Sequence, residues 1–258
     1  MEKIFFKILL IGVFQSFLFI NAQFRNRDRQ DRLEGFDNAN YSWGFFLNLN
    51  NYDYKIVLNP KYGINDNKNL VLSKPTYSFG AGLIGRMRLS DNFDLRIEPG
   101  LQFVDRELTF KTQTNDQYAT STTNLFTPLV LTTSDTIRRV KATYVDVPVL
   151  LEFHGDRWYN SRPYAAAGVN YMVNLQSNSQ SADDNQQGVF RTTTHNFAWS
   201  AEVGIQFYFS RFKLTPAFRG TFAFNNELVA DNPGTPPYWA SAISTMQTRA
   251  LMFVLKFE

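Results

Sequence analysis

The chain has 258 residues, and its 26 Lys and Arg residues nearly balance its 23 Asp and Glu residues, giving a formal net charge of +3. So small an excess of positive charge gives no case for a nucleic-acid-binding surface. The absence of Cys excludes a disulfide framework, a thiolate nucleophile and a Cys-ligated metal.

The N-terminal segment has the parts of a secretory signal peptide. Lys3 and Lys7 give it a positive start, an apolar run follows from Ile8 to Ile20, and Ala22 offers a small residue for cleavage. We therefore predict a signal peptide at residues 1–22. The alternative is an uncleaved transmembrane anchor, for which the run is short of the roughly 20 residues of a helical span.

Residues 23–40 form a polar arm ahead of the first predicted strand. The arm carries Arg25, Arg27, Arg29 and Arg32. A segment with so few apolar residues cannot bury enough surface to fold alone, so we expect it to be disordered. Contact with an acidic periplasmic partner is the less favoured alternative.

Residues 41–258 alternate apolar and polar side chains in eight segments. This period of two is typical of β-strands, and no part of the region has a convincing helical period. The predicted strands are Tyr41–Tyr54, Thr76–Leu89, Asn92–Phe110, Val140–His154, Arg162–Leu175, His195–Phe209, Phe212–Phe224 and Gln247–Phe257. Each is at least about as long as the 9–11 residues that a tilted strand needs to cross a bilayer.

Each predicted strand has one almost purely apolar face, while its other face mixes small and charged residues. In the stretch FDLRIEPGLQF, Phe93, Leu95 and Ile97 alternate with Asp94 and Arg96. Membrane barrels show this pattern because alternate side chains face the lipid and the lumen. We therefore predict an all-β fold, an eight-stranded antiparallel transmembrane β-barrel at residues 41–258.

The connections between the predicted strands alternate in length. Ser90-Asp91, Gly155–Ser161 and Ser210-Arg211 are short. The long connections are Lys55–Pro75, Lys111–Arg139, Gln176–Thr194 and Asn225–Met246. This rhythm predicts short periplasmic turns, long extracellular loops and both termini in the periplasm.

The charged residues of the polar face are expected to point into the lumen, which eight strands leave just wide enough for side chains to fill. Unpaired charges would be costly there, so we predict ion pairs that plug the barrel. The predicted lumen charge network is Arg86, Asp94, Arg96, Glu98, Asp146, Glu152, Glu202 and Arg219. The partners expected for its glutamates are Arg86, Arg96 and Arg219.

No constellation of residues predicts chemistry. His154 and His195 are expected at opposite ends of the barrel and cannot share a metal. His195 paired with Asp183 or Asp184, together with a loop Ser, is the alternative of an acyltransferase or protease site at the rim, but a solvated loop His is the favoured interpretation. Carboxylates of the lumen are expected to be structural ion pairs rather than an acid–base pair. We predict no catalytic, cofactor-binding or metal-binding residue, no cofactor and no enzyme activity.

The last long connection holds a rigid aromatic tip. Tyr238 and Trp239 follow two prolines in the sequence NPGTPPYW. Packing against the barrel rim and contact with a partner protein are equally favoured interpretations, because Tyr and Trp are common anchors of interfaces. We therefore treat both residues as a possible partner contact.

The final strand carries a candidate insertion signal. Phe253, Leu255 and Phe257 repeat at period two, and Glu258 follows them. The pattern resembles the C-terminal signal of outer-membrane barrels, in which the aromatic residue normally stands last. It predicts a transient partner, the barrel-assembly machinery, during insertion.

Several segments resemble the PorT/SprT family of outer-membrane proteins of Bacteroidota. WGFFLNLNNYDYKIVLNPKYGIN, residues 43–65, resembles the first strand of that family and is the most particular of these segments. SFGAGLIGRMRL, LRIEPGLQF, YVDVPVLLEF and RPYAAAGVNY resemble the next four strands. The similarity spans essentially the whole mature chain.

The resemblance implies a non-enzymatic role in protein secretion by the type IX system, and in gliding motility in species that glide. Because a plugged barrel cannot pass a folded protein, we expect an accessory or assembly factor of the translocon. The expected partners are the outer-membrane lipid bilayer and other outer-membrane secretion or assembly proteins, with no nucleic acid. The alternative is a stand-alone small barrel that acts in surface adhesion or envelope integrity.

Overall fold

The computed structural model describes residues 32–58, 71–110, 136–181, 190–230 and 240–258. The chain divides into two units, Met1–Arg32 and Leu33–Glu258, and all the strands belong to the second. The predicted signal peptide and residues 23–31 of the predicted arm lie outside the described residues. In the part of the chain that is described, no helix is long and apolar enough to cross a membrane.

Ten strands make up one antiparallel sheet in the described residues. They are β1 Tyr41–Leu58, β2 Val71–Pro75, β3 Tyr77–Arg88, β4 Phe93–Ile97, β5 Gly100–Phe110, β6 Ile137–His154, β7 Ser161–Asn174, β8 His195–Tyr208, β9 Lys213–Ala223 and β10 Ile243–Phe257. A 3₁₀ turn, Ala240–Ala242, precedes β10.

The ten strands form a ring of eight, because two pairs of short strands each follow one path. Thr76 alone separates β2 from β3, and Glu98 and Pro99 separate β4 from β5. Pro99 has no N–H to give to the ladder, which explains the second interruption. β1 closes the ring by pairing with β10 on one side and β3 on the other. The predicted eight-stranded antiparallel barrel is confirmed.

The two ends of the barrel differ in their connections. At one end, here named the tight-turn end, residues 89–92, 155–160 and 209–212 join consecutive strands. At the other, the long-connection end, β1 and β2 are joined by residues 59–70, and β5 and β6 by residues 111–136. The predicted alternation of short and long connections is therefore present.

An apolar surface surrounds the part of the barrel nearer the tight-turn end. Every second residue of each strand points outward there, as the alternation predicts. Exposed apolar residues of this surface include Trp43, Phe45, Leu47, Leu49, Phe79, Leu83, Leu101, Phe103, Leu151, Phe153, Val169, Trp199, Val203, Phe218, Leu251 and Phe253.

Several strands continue beyond this apolar surface at the long-connection end, and there the polarity of the two faces reverses. β1 runs to Leu58, β6 begins at Ile137 and β10 begins at Ile243, all outside the predicted bounds. Outward residues of these extensions are Asp53, Lys55, Asp105, Glu107, Arg139, Lys141, Gln247 and Arg249. Inward residues form an apolar cluster of Tyr54, Val71, Leu108, Phe110, Val140, Phe190, Ala242, Ile243 and Met246. The strands were predicted too short because the apolar residues change face at this level.

Opposite charges face each other across the outer surface of these extensions. Asp105 is directly opposite Lys141, and Glu107 is opposite Arg139. Opposite charges at directly facing positions stabilise a strand pair by a few tenths of a kcal/mol to ~1 kcal/mol. A polar outer face over an apolar core is the pattern of a barrel end that stands in water rather than in lipid.

Small residues on the inner wall make room for long side chains that cross the lumen. These small inward residues are Gly80, Gly82, Gly100, Ala142, Ala166, Gly168, Ala198, Gly204, Ala217 and Ala250. One such contact is made by Phe46, whose ring lies over Gly82 and Gly100. A β-carbon at Gly82 would lie 2.4 Å from the Pro99 carbonyl oxygen and 2.5 Å from the Phe46 ring. Barrels this small commonly alternate small and large inward residues in this way.

We predict that Gly82→Ala destabilises the barrel, because its β-carbon would meet backbone that cannot move aside. Overpacking of this kind costs about 1–3 kcal/mol. Gly220→Ala is the matched control, since a β-carbon at Gly220 would have only side-chain neighbours, the nearest being Phe222 at 3.1 Å. Urea unfolding of both variants in lipid vesicles measures the difference, and equal stability of the two would contradict the packing argument.

Candidate functional site

Four charged side chains meet in the middle of the lumen. Lys256 Nζ donates to Glu98 Oε1 at 2.7 Å and also to Glu202 Oε1. Arg219 Nη2 donates to the other oxygen of each of these glutamates. All four side chains have no exposed surface. Each carboxylate therefore contacts both cations, and we name Glu98, Glu202, Arg219 and Lys256 the central quartet.

The central quartet joins opposite walls of the barrel. Glu202 and Arg219 face each other directly across β8 and β9, and Lys256 is on the adjacent β10. Glu98 comes from the other wall, at the interruption between β4 and β5. Its backbone N–H donates to Pro148 O at 3.1 Å, which holds this interruption against β6. The quartet thus closes the lumen by contacts that cross it.

A second group of charges lies between the quartet and the tight-turn end. The Arg96 guanidinium is 2.7 Å from Glu152, 3.0 Å from Glu258 and 3.5 Å from Glu98. Lys213 Nζ lies 2.6 Å from the same Glu258 carboxylate. These side chains are also fully buried, so the filled region continues toward the tight-turn end.

A third group lies at the tight-turn end of the lumen. Arg86 Nη1 donates to Asp94 Oδ2 at 3.1 Å, and His154 Nε2 is 3.3 Å from the same oxygen. Arg86 also donates to Ser42 Oγ at 2.8 Å. The three groups together hold Arg86, Arg96, Lys213, Arg219 and Lys256 against Asp94, Glu98, Glu152, Glu202 and Glu258. Cations and carboxylates are therefore equal in number within them.

Asp94, Glu152 and His154 bring potential metal ligands within 4.8 Å of one another, a grouping that the sequence did not predict. Both carboxylates already face guanidiniums, Asp94 that of Arg86 and Glu152 that of Arg96. A divalent cation would add unbalanced charge to a group already neutralised and shielded from water. The trio therefore fits an ion-pair network better than a metal site.

The eight residues of the predicted lumen charge network are all buried in the lumen. Asp146 has no ion pair with any described residue and accepts hydrogen bonds from Asn170 Nδ2 at 3.0 and 3.2 Å. The expected pairing of Arg86 with a glutamate is wrong, because its carboxylate partner is Asp94 on the adjacent strand. The predicted network left out Lys213, Lys256 and Glu258. The first two share the inward parity of their strands, so that signal was available for them.

A separate cluster closes the lumen near the long-connection end. The Arg106 guanidinium lies 3.7 Å over the Tyr54 ring and donates to Tyr144 OH at 2.7 Å and Thr248 Oγ1 at 2.9 Å. Glu227, from the connection between β9 and β10, accepts from Tyr144 OH at 3.3 Å and from Thr248 N at 3.0 Å. This connection thus folds inward, and its carboxylate completes the cluster.

The end of the predicted arm closes the tight-turn end, so the prediction of disorder is wrong for residues 33–39. This segment forms consecutive turns, and Arg86 Nη2 donates to the carbonyl oxygens of Phe36 and Ala39 at 3.1 and 3.3 Å. The face of the Phe36 ring contacts two cations of the lumen, Arg86 and Lys213. The composition of the arm gave no signal for this contact, because the groups that hold it come from distant strands.

Other predicted site residues lie on the outer surface or outside the described residues. His195 is exposed, and its Nδ1 is 2.7 Å from Tyr171 OH. Asp183, Asp184, Tyr238 and Trp239 lie outside the described residues, so neither the rim pair nor the partner contact is tested.

The residues of the candidate insertion signal line the outer surface of β10. Phe253 packs against Phe218 with ring centroids 5.2 Å apart, and Phe257 stacks on Phe45 at 4.9 Å. Leu255 shares their outward parity and lies directly opposite Leu47 on β1. Their role in insertion stays a prediction.

We predict that Arg219→Met lowers the free energy of unfolding by about 3–5 kcal/mol, because it removes a cation that contacts both Glu98 and Glu202 in a buried network. The control is Arg249→Met, which breaks a pair with Asp53 whose arginine side chain is 52% exposed. An exposed pair contributes about 0–1 kcal/mol. Urea unfolding in lipid vesicles, followed by Trp fluorescence, measures both losses. Losses of equal size would contradict the prediction that the buried quartet contributes more to stability than the exposed pair of Arg249 and Asp53.

We predict that Glu227 makes the barrel less stable as pH rises. Burial raises the pKa of the Glu227 carboxyl above its usual value of 4.5, outweighing the nearby Arg106 guanidinium. The folded state then binds this proton more tightly than the unfolded state, so stability falls as pH rises through the interval between the two pKa values. Glu227→Gln removes this loss and keeps an amide oxygen as acceptor.

The measurement is the thermal unfolding midpoint of wild type and Glu227→Gln in detergent between about pH 5 and pH 8. The midpoint of the variant should rise relative to wild type as pH increases. Glu107→Gln, on the outer face of β5, is the control, because it removes a carboxyl group that is not buried. Parallel pH profiles for Glu227→Gln and wild type would contradict the prediction.

Comparisons with known proteins found similar solved structures and one matching family. The chain is similar in fold to the outer membrane protein OprG from Pseudomonas aeruginosa, with 13% identity over 83% of this chain and 93% of that chain, and a TM-score of 0.40. It is likewise similar to Neisserial surface protein A, with 8% identity over 84% and 98% of the two chains and a TM-score of 0.39. Ail, the attachment invasion locus protein of Yersinia pestis, gives 8% identity over 85% and 99% and a TM-score of 0.36.

No curated protein matches the chain in sequence. The family described as "Outer membrane protein beta-barrel domain" matches residues 21–229, which is most of the chain. The outward apolar surface of the strands is the part that meets the lipid bilayer in such a barrel. The chain belongs to this family, and it is an integral β-barrel of the outer membrane.

Proposed function

We propose that this barrel is a non-enzymatic component of protein secretion by the type IX system, and of gliding motility where the species glides. Its role is that of an accessory or assembly factor of the translocon. The assignment to the PorT/SprT branch rests on the segments quoted above, of which the most particular begins in β1 and extends into the following connection.

The filled lumen is the observation that carries the accessory role. The central quartet crosses the lumen. Arg96 and its carboxylates fill the region between the quartet and the tight-turn end, and Arg106 and Glu227 close the lumen near the long-connection end. A folded protein cannot pass such a barrel, and neither can an extended chain without breaking buried ion pairs. Any contribution to secretion must therefore be made through the outer wall and the two ends.

The two ends suit different environments in the proposed orientation. The tight-turn end faces the periplasm, and the long-connection end stands outside the cell. The short connections at one end and the long connections at the other support this orientation, because outer-membrane barrels have short periplasmic turns and longer extracellular loops. The polar outer face of the strand extensions suits an end that stands in water. Contacts with other outer-membrane proteins are made by the apolar wall or by the long connections.

The test is a clean deletion in the source bacterium, followed by quantitative proteomics of medium, outer membrane and periplasm. We expect type IX cargo to disappear from the medium and to accumulate in the periplasm, and a plasmid copy of the wild-type gene should restore secretion. Reduced abundance of the large translocon protein would place the role in assembly, and normal abundance would place it in transport.

Normal secretion by the deletion strain would contradict the type IX role. The alternative, a stand-alone barrel in surface adhesion or envelope integrity, would then be tested in the same strain. Loss of attachment to surfaces or increased sensitivity to detergent would support it.

A further inference from the structure

A carboxylate-binding site lies at the tight-turn end, and the chain fills it with its own Asp37. Asp37 Oδ1 accepts a hydrogen bond from Tyr208 OH at 2.8 Å and lies 3.3 Å from Arg162 Nη1. Asp37 Oδ2 lies 3.6 Å from Arg157 Nη1. Two guanidiniums and a phenol thus surround one carboxylate, which they hold by two ion pairs and one hydrogen bond.

The groups that bind Asp37 are held in place by contacts that do not involve it. Arg162 is buried and donates to two backbone carbonyl oxygens, at 3.0 and 3.2 Å. Arg157 stacks 3.9 Å over the Tyr208 ring and donates to the Tyr159 carbonyl at 2.6 Å. The site therefore keeps its shape when Asp37 leaves, which is the preorganisation that favours ligand binding.

An aromatic position lies beside the carboxylate position. The Phe36 ring centroid is 5.3 Å from Arg86 Cζ and 4.9 Å from Lys213 Nζ. Cations at these distances attract the face of an aromatic ring. The end of the lumen thus contacts two neighbouring features of this segment, the Phe36 ring and the Asp37 carboxylate that follows it.

The segment that occupies the site contains a strained residue and is partly exposed to solvent. Leu33 has φ 53° and Gly35 has φ 82°, both in the left-handed region. A leucine is strained there. The Asp37 side chain remains 23% exposed to solvent. Strain in the segment and access of water to its carboxylate both favour exchange for another peptide.

We propose that this end of the barrel is a binding site for an acidic peptide segment of a partner protein, an aromatic residue followed by Asp. The partner segment takes the place of the chain's own Phe36 and Asp37. A neutral segment does not fit, because it would remove the carboxylate that Arg157 and Arg162 now share and supply no charge in return. This proposal is argued from contacts at the tight-turn end alone, and it does not depend on the proposed role in type IX secretion.

The first experiment measures binding of a fluorescein-labelled peptide with the sequence of residues 33–40, LEGFDNAN, to the full chain in detergent. The double variant Phe36→Ala/Asp37→Ala vacates the site and should bind the peptide. Wild type should bind at least about tenfold more weakly, because its own segment competes. A peptide with Asn in place of Asp should also lose at least about tenfold in affinity for the double variant.

Arg162→Gln, added to the double variant, should abolish binding of the peptide. This loss would show that the peptide binds where Asp37 binds in the wild type. Heat-dependent migration on gels shows that each variant is folded. A folded double variant that fails to bind the peptide would overturn the proposal. Equal affinity for the Asp and Asn peptides would also overturn it, because recognition would then not depend on the carboxylate.

The second experiment tests exchange in a chain that keeps Phe36 and Asp37. The chain has no Cys, so Asn38→Cys carries a single nitroxide label at an exposed position. Unlabelled LEGFDNAN peptide in excess should convert the spectrum of this label to a mobile one, and the Asn peptide should not. A label that stays immobile at a peptide concentration that saturates the double variant would show that the segment is a permanent plug.

Discussion

Pairing of charges across a lumen too narrow to hold bulk water is the constraint on which the rest of this barrel depends. Eight strands leave space only for side chains, and here many of those side chains are charged. Arg219 and Lys256 each contact both Glu98 and Glu202, so every charge of the central quartet has two opposite neighbours. Glycines and alanines elsewhere on the inner wall provide the room in which these long side chains extend.

Two environments follow one another along the same strands. Near the tight-turn end, apolar side chains point outward and charged ones inward, as a barrel in lipid requires. Beyond about the level of Tyr52 the arrangement reverses, and Tyr54, Leu108 and Val140 point into an apolar core. The cause is the medium outside the wall, which changes from lipid to water. A single sheet can stand in both lipid and water, because the side chains alternate between the two faces along the whole strand. Only the faces that carry the apolar and the polar residues are exchanged.

The two ends of the lumen are closed by different means. At the long-connection end, Glu227 from a connection enters the barrel and is satisfied by backbone and side-chain donors of β6 and β10. At the tight-turn end, Phe36 and Asp37 are held by arginines that other contacts already fix in place. The first closure is part of the core, whereas the second has the character of an occupied binding site. Because both ends of the lumen are closed, other molecules can contact this barrel at its outer wall and its two ends but not through a channel.

Much of the fold was determined by local pattern. The alternation of residues such as Phe93 and Asp94 predicted strands, faces and an eight-stranded ring, because side-chain direction depends only on position along a strand. The same parity identified the eight inward charges of the predicted network, although Lys213 and Lys256 share it and were left out. Strand ends near Leu58 and Ile243 escaped prediction, because the sequence does not state where lipid gives way to water.

The sequence by itself therefore determined which side chains of the strands point into the lumen, and the tertiary structure decided which of them meet. Arg86 pairs with Asp94 on the adjacent strand, while Glu98 reaches Arg219 on the opposite wall. Such partners depend on the stagger between strands and on the closure of β1 against β10, which are properties of the ring and not of any segment. For the same reason the docking of Asp37 against Arg162 and Tyr208 could be recognised only once the folded barrel brought those distant residues together.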